Sequence, residues 1–383
     1  MRGGTRWGLI LAVFVAGLLG AGQFAKIALA LPATAEAYGL PVAGIAFLVS
    51  ITGIVGIAAG ALAGGVVAAL GPRRVMLGAL WSGAALSLVQ VALPPLWLMT
   101  LLRIAEGVSH LGIVVAGPTL IAAAAGDRDR PVAMGIWAMF FGLAFAAAAI
   151  LVPPLVAAGG LAAVFALHAG AMALLAAILA AMTARQARRP LVLRPVAVHA
   201  AIYGRVDRAL PGACFVFYTF LFVALIALLP DLLGRPGLGA VLPLLNLAGT
   251  FAGGWASRHR APAAVMAVGF VLSGVSAMAL WAGWGPALWV MFAATGLVPG
   301  GAFAAIPHYN LSSADRALAT GGIAQMGNVG TTLGTPVLAM AAMSGGMAGV
   351  WGVTLAVSVA GLVATLALAA RAGRAGTTAA PAH

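Results

Sequence analysis

The sequence predicts an all-α membrane protein with twelve transmembrane helices in two six-helix halves. Three observations carry this. Of the 383 residues, 63% are hydrophobic and only 7% charged; the apolar residues fall in runs of about 20, long enough to cross a bilayer as helix; and arginines fill every second gap between the runs. An average soluble domain has about a quarter of its residues charged, so this composition excludes one. The runs are continuous instead of alternating with period two, which excludes a transmembrane barrel.

In chain order the runs lie near 7–31, 43–68, 74–93, 96–123, 131–155, 160–182, 210–231, 237–256, 262–282, 286–307, 317–342 and 347–370. Arg2 and Arg6 precede the first. Arg73/Arg74, Arg128/Arg130, the group from Arg185 to Arg208, Arg258/Arg260, Arg316 and Arg371/Arg374 occupy alternate gaps, and the remaining gaps hold only Arg235. The positive-inside rule then places both termini in the cytoplasm of a bacterial-type inner (plasma) membrane. The formal charge of +13 is therefore a topology signal and requires no nucleic-acid partner. Arg2 and Arg6 followed by an apolar run ending in Ala28-Leu29-Ala30 could also read as a cleavable signal. The run is long for a signal h-region and Lys26 precedes the cleavage position, so the segment is expected to be retained as a span. The long polar gap from Ala184 to Ala209 divides the chain into an N-terminal bundle (1–183), a cytoplasmic linker (184–209), a C-terminal bundle (210–371) and a flexible cytoplasmic tail (372–383).

Some local motifs add to this layout. After span two, Gly64, Gly71, Arg73 and Arg74 stand in a glycine-and-basic pattern, with Ala68 and Ala69 at its acidic and first basic positions. In span four, Arg103-Ile104-Ala105-Glu106-Gly107 reads Arg-x-x-x-Gly. Two six-helix halves, a basic linker and these motifs resemble the major facilitator superfamily over about residues 7–370. The stretch from Val114 to Ile121, Met134-Gly135-Ile136-Trp137, Gln325-Met326-Gly327-Asn328 and Gly334-Thr335-Pro336 look like its cyanate and nitroimidazole transporter-like subgroup. The resemblance implies halves related by a pseudo-two-fold axis along the membrane normal, a small-molecule substrate bound between them and alternating access. It also implies a gating role for Arg73 and Arg74, with the usual acidic partner missing. A proton-coupled drug or metabolite exporter of the same fold is the alternative. The absence of Gly-Pro between Gly142 and Ile150 counts against it.

Ionisable groups inside spans are costly, about 2.5–3.5 kcal/mol each on insertion scales, and so are functional candidates. Lys26 lies roughly 8 Å, and Arg103 about 10 Å, below the periplasmic ends of spans one and four, at 1.5 Å rise per residue. Glu106 lies near the midplane. Arg103, Glu106, Gly107 and His110 share one face of span four, and the superfamily pattern sets that face opposite Lys26. With His110 neutral, Lys26, Arg103 and Glu106 sum to +1, which suits a small polar, anionic solute. Lys26 and Arg103 are thus candidate substrate ligands, and Glu106 and His110 candidate proton-coupling groups. The alternatives are snorkelling for Lys26, a purely intrahelical pair for Arg103 and Glu106, and packing for His110.

The second half has no such charges. It offers Tyr218, Asn246, Gln325 and Asn328, with Thr331 and Thr332, as groups that orient a polar ligand or link helices. Trp137, Phe140 and Phe141 wall a cavity or pack against neighbours. His168, Asp231 and His308 fall near span ends and are expected to be solvated or capping. Gly117-Pro118 and Pro299-Gly300-Gly301 mark bends, and Gly56, Gly60 and Gly64 suit close helix packing. The scattered histidines and the single Cys214 have no metal-ligand spacing, and no nucleotide-binding motif is present. Neither metal, cofactor, enzymatic activity nor an obligatory protein partner is expected. The partners implied are a small-molecule substrate and the lipid bilayer.

Overall fold

A computed structural model of the chain describes residues 4–126, 129–184 and 194–378. Arg2, Arg128, Arg185, Arg188 and Arg189 lie outside them. Every regular element among the described residues is helical, as a lipid environment requires of segments that must satisfy their own backbone groups.

Nine helices among these residues are long and apolar enough to cross a membrane. Two of them are double. Phe140–Met182 is interrupted where Gly159 and Gly160 leave helical geometry, and Ser313–Thr378 is interrupted at Gly346. Pro72–Gln90 is a further 19-residue helix whose mean hydropathy is depressed by Arg73 and Arg74 in its first turn. Together these are consistent with the twelve expected spans: Trp7–Ala28, Val42–Leu70, Pro72–Gln90, Leu96–Ala124, Arg130–Ala138 continued by 140–158, 161–182, Val206–Leu232, Leu238–Ala256, Pro262–Trp281, Ala287–Tyr309, 313–345 and 347–378. They are numbered as spans one to twelve below. The tight connection between spans two and three depends on Gly71, whose φ of 86° is a conformation that side chains resist, and on Pro72 pre-set in the first helical turn.

Span two departs from the smooth helix its apolar run predicts. It consists of the short helices Val42–Ile45 and Phe47–Ser50, a 3-10 turn at Ile51–Gly53 and a regular helix Ile54–Leu70. Its own sequence has no proline here; the cause of the 3-10 turn lies on span four and is described below. The described part of the linker is not wholly irregular either, since Pro195–Tyr203 forms a helix beginning at a proline.

The chain divides into two compact units, Met1–Leu193 with Pro236–Ala240, and Arg194–Arg235 with Val241–His383. In the first, spans one and three each pack on span four and on the double helix Phe140–Met182 that carries spans five and six, and span two packs on span four. Its apolar core includes Ile10, Val13, Met76, Leu80, Ile113, Leu120, Trp137 and Met172. In the second, span seven packs on the helix that carries spans eleven and twelve, and span nine on span ten.

Candidate functional site

Three helices of the first unit each present polar residues three or four positions apart, the spacing that puts them on one face: Gln23 and Lys26 on span one, Ser87 and Gln90 on span three, and Arg103, Glu106, Ser109 and His110 on span four. Span six adds His168. All nine side chains are buried, and Lys26, Ser87, Gln90 and Arg103 meet the Glu106 carboxylate directly.

Lys26 Nζ donates to Glu106 Oε1 at 2.5 Å, to Gln90 Oε1 at 2.8 Å and to Ser87 Oγ at 2.8 Å, so all three ammonium donors are used. The ammonium also lies 5.1 Å from the centre of the Phe165 ring, a favourable cation–π position. Only 3% of Lys26 is exposed, which excludes snorkelling in this conformation. Glu106 Oε2 accepts from Gln90 Nε2 at 3.0 Å and from Arg103 Nη1. The carboxylate therefore has donors on both oxygens, from three helices.

Arg103 does more than pair with Glu106. Its Nη1 also donates to the Gln23 carbonyl at 2.7 Å and its Nε to the Leu48 carbonyl at 2.9 Å, while Nη2 reaches the Val49 carbonyl at 3.5 Å. In an uninterrupted helix the Leu48 and Val49 carbonyls would accept from Thr52 and Gly53. The guanidinium takes their place, which accounts for the 3-10 turn at Ile51–Gly53. Gly107 makes the approach possible, because a Cβ there would lie 2.2 Å from the Thr52 carbonyl oxygen. Gly107→Ala should force span two away from Arg103, cost about 1–3 kcal/mol of stability by overpacking and abolish transport. A variant with wild-type unfolding midpoint and uptake would remove Gly107 from this account.

The histidines are held by backbone carbonyls. His168 Nε2 lies 3.0 Å from the Leu19 carbonyl, which can only accept; in the neutral ring Nδ1 is then an acceptor for Ser87 Oγ at 2.9 Å. His110 Nδ1 donates likewise to the Gly20 carbonyl at 2.9 Å, and its ring meets Phe24 edge-on at 4.9 Å. The expectation of a solvated or capping His168 is corrected: it is 8% exposed and belongs to the polar cluster. Ser109 Oγ accepts from Gln23 Nε2 at 2.9 Å and donates to the Ala79 carbonyl at 2.6 Å.

The remaining candidates lie elsewhere. Trp137 is buried between Gly17 and Gly117, each leaving the space its indole fills, and stacks on Phe140 with centroids 4.7 Å apart. Arg73 fastens the start of span three to the end of span six, through the Thr183 carbonyl at 2.8 Å and the Ala180 carbonyl at 3.2 Å. Among the described residues Arg74 reaches the Leu70 carbonyl of the preceding turn. In the second unit Tyr218 donates to Asn246 Oδ1 at 2.8 Å, and Asn246 Nδ2 donates to Thr295 Oγ1 at 3.1 Å. Gln325 engages Tyr203 and His199 of the linker helix at 2.7 and 2.9 Å. Asn328 bonds back to the Ala324 carbonyl of its own helix.

Gln23, Ser87, Gln90, Ser109 and His168 are the members of the cluster that sequence reasoning missed. One signal was available. Ser87 and Gln90 are three apart in a span otherwise apolar on that face, the same pattern that singled out Gln325 and Asn328.

A bundle of apolar spans enclosing a charged hydrogen-bonded core, with no group of metal-ligating residues among the described ones, has the build of a polytopic membrane transporter. The family model described as Major Facilitator Superfamily matches residues 9–250, well over half of the chain, and the protein belongs to that superfamily. It is a multi-pass membrane transporter and not an enzyme. No curated protein matches the chain. Among solved structures it is similar to a bacterial homologue of the human lysosomal transporter Spinster. The inward-facing, unoccupied form of that homologue has a TM-score of 0.72 at 16% identity, covering 96% of this chain and 97% of that one. The inward-facing, occupied form has a TM-score of 0.73 at 15% identity, covering 97% of both chains. The human organic anion transporter MFSD10 (TETRAN) has a TM-score of 0.71 at 18% identity over 93% of this chain and 98% of its own. At such identities the likeness is one of fold. The family binds small-molecule substrates within the membrane.

Proposed function

We propose that the protein is a secondary active carrier of a small anionic solute, coupled to protons through Glu106. One observation carries the reading. Among the described residues, Lys26, Arg103 and Glu106 are the buried side chains with formal charge, and they sum to +1. A unit charge attracts an anion at about 4 Å by about 4 kcal/mol at an effective dielectric constant near 20, enough to prefer an anion over a cation of the same size by several orders of magnitude. Lys26 is the group that holds the solute. Arg103, committed to span-two carbonyls, positions the carboxylate and the 3-10 turn.

Proton coupling follows from the same contacts. Glu106 shares its cations with any incoming anion, so binding the anion favours the protonated acid, and by linkage protonation favours the anion. This is the requirement for proton/anion symport. The direct test is uptake of labelled formate, acetate, phosphate and methanesulfonate, against tetramethylammonium, into proteoliposomes with an alkaline lumen. Accumulation of an anion is expected; accumulation of the cation alone would defeat the proposal.

The alternating arginines support an inner-membrane topology with cytoplasmic termini. Reporter domains fused after Gly126 and after Gly159 should report cytoplasm and periplasm respectively, and the reverse pattern would invert the proposed topology.

A further inference from the structure

Resting on the anion-carrier reading, we infer that the transported anion is a carboxylate and that Glu106 occupies its binding site in this conformation. The groups around Glu106 are what a free carboxylate would need. Lys26 reaches one oxygen at 2.5 Å, and Gln90 and Arg103 donate to the other. The receptor has two ends for two oxygens. Every buried side-chain N–H of the nine-residue cluster already has a partner, so within the cluster a tetrahedral oxyanion would bring further oxygens with no free N–H to meet them. Gln23 Oε1, buried and without a partner, is an acceptor and offers an extra oxygen nothing.

The charge count gives the exchange its direction. With Glu106 ionised in place, the cluster carries +1. When a substrate monocarboxylate takes the donors and Glu106 leaves as the neutral acid, the cluster again carries +1, so the substitution costs no additional buried charge. A proton from water on the open side adds to a Glu106 oxygen, and no covalent bond to substrate is made. One proton therefore moves with each monocarboxylate, and the cycle is electrically neutral. The binding residues in this inference are Lys26 and Gln90; Ser87, which gives its one hydroxyl proton to His168 Nδ1 at 2.9 Å, accepts from Lys26 Nζ and positions the ammonium.

Glu106→Ala provides the test, because it removes four heavy atoms, a carbon and a carboxylate, the same set that acetate contains. The full-length variant in detergent should show a saturable rise in unfolding midpoint of a few degrees with formate or acetate, absent with chloride at equal ionic strength and absent in the Lys26→Met/Glu106→Ala double variant. A rise no larger than that with chloride, or one that survives loss of Lys26, overturns the inference. If Glu106→Ala does not fold, Glu106→Gln keeps the volume and is read by competition. Formate and acetate should inhibit its exchange of labelled substrate at least tenfold more strongly than phosphate or methanesulfonate, and equal inhibition overturns the inference. The wild-type protein separates this failure from that of the broader reading. Uptake of phosphate or methanesulfonate without carboxylates leaves an anion carrier with a different substrate class, whereas uptake of a cation alone removes both.

Discussion

Glu106→Ala is expected to destabilise the protein by about 3–5 kcal/mol, the usual cost of removing one partner from a buried ion pair, whereas Lys26→Met should cost only about 1–3 kcal/mol. The ranking follows from charge. Without Glu106, Lys26 and Arg103 remain as two unpaired cations in a buried site where each is 0–3% exposed. Without Lys26, Arg103 and Glu106 remain as a neutral pair, and the loss is that of the Lys26 contacts with Glu106, Ser87, Gln90 and the Phe165 ring. Arg103→Met also leaves a neutral pair, but it strands the Leu48 and Gln23 carbonyls, so it should fall between the two or match Glu106→Ala. Unfolding midpoints of the three variants in one detergent measure this order. A Lys26 variant less stable than the Glu106 variant would mean that the surplus positive charge does not govern the cluster.

Glu106→Gln should separate exchange from accumulation. The amide keeps the shape of the protonated acid and cannot release a proton, so labelled substrate should still exchange for unlabelled across the membrane. Accumulation driven by a pH gradient should fall to the level of protein-free liposomes. The effect is large because it removes the coupled ion, not merely affinity. Undiminished gradient-driven accumulation would assign Glu106 a structural role.

Apolar runs and arginine spacing made the spans legible, because hydropathy and the cost of translocating charge act on local sequence. Lys26, Arg103 and Glu106 were legible for the same reason: a charge in a span stands out against its neighbours. Their uncharged partners were not. Ser87, Gln90 and Ser109 are tolerable in any span if some helix satisfies them, and which helix does so is a tertiary fact. His168 looked peripheral from its place in the chain and is central because span six turns it toward Ser87 and Leu19. The 3-10 turn in span two had no local signal, since its cause is a guanidinium 55 positions away in sequence. The helix Pro195–Tyr203 hid inside an arginine-rich gap because nine residues are too few to register as a span. Gln325 was singled out as orienting a ligand or linking helices, and its bonds to Tyr203 and His199 of that helix depend on tertiary placement no local signal carries.

The central claim is that a buried surplus of one positive charge selects an anion and ties it to a proton. The most direct measurement is the luminal pH of proteoliposomes carrying a trapped pH-sensitive dye, followed as each candidate anion is added outside without any imposed gradient. For a carried anion the account predicts luminal acidification with the wild-type protein, beyond that of protein-free liposomes, and none beyond it with Glu106→Gln. Anion uptake without proton movement, or acidification that persists in Glu106→Gln, would contradict it.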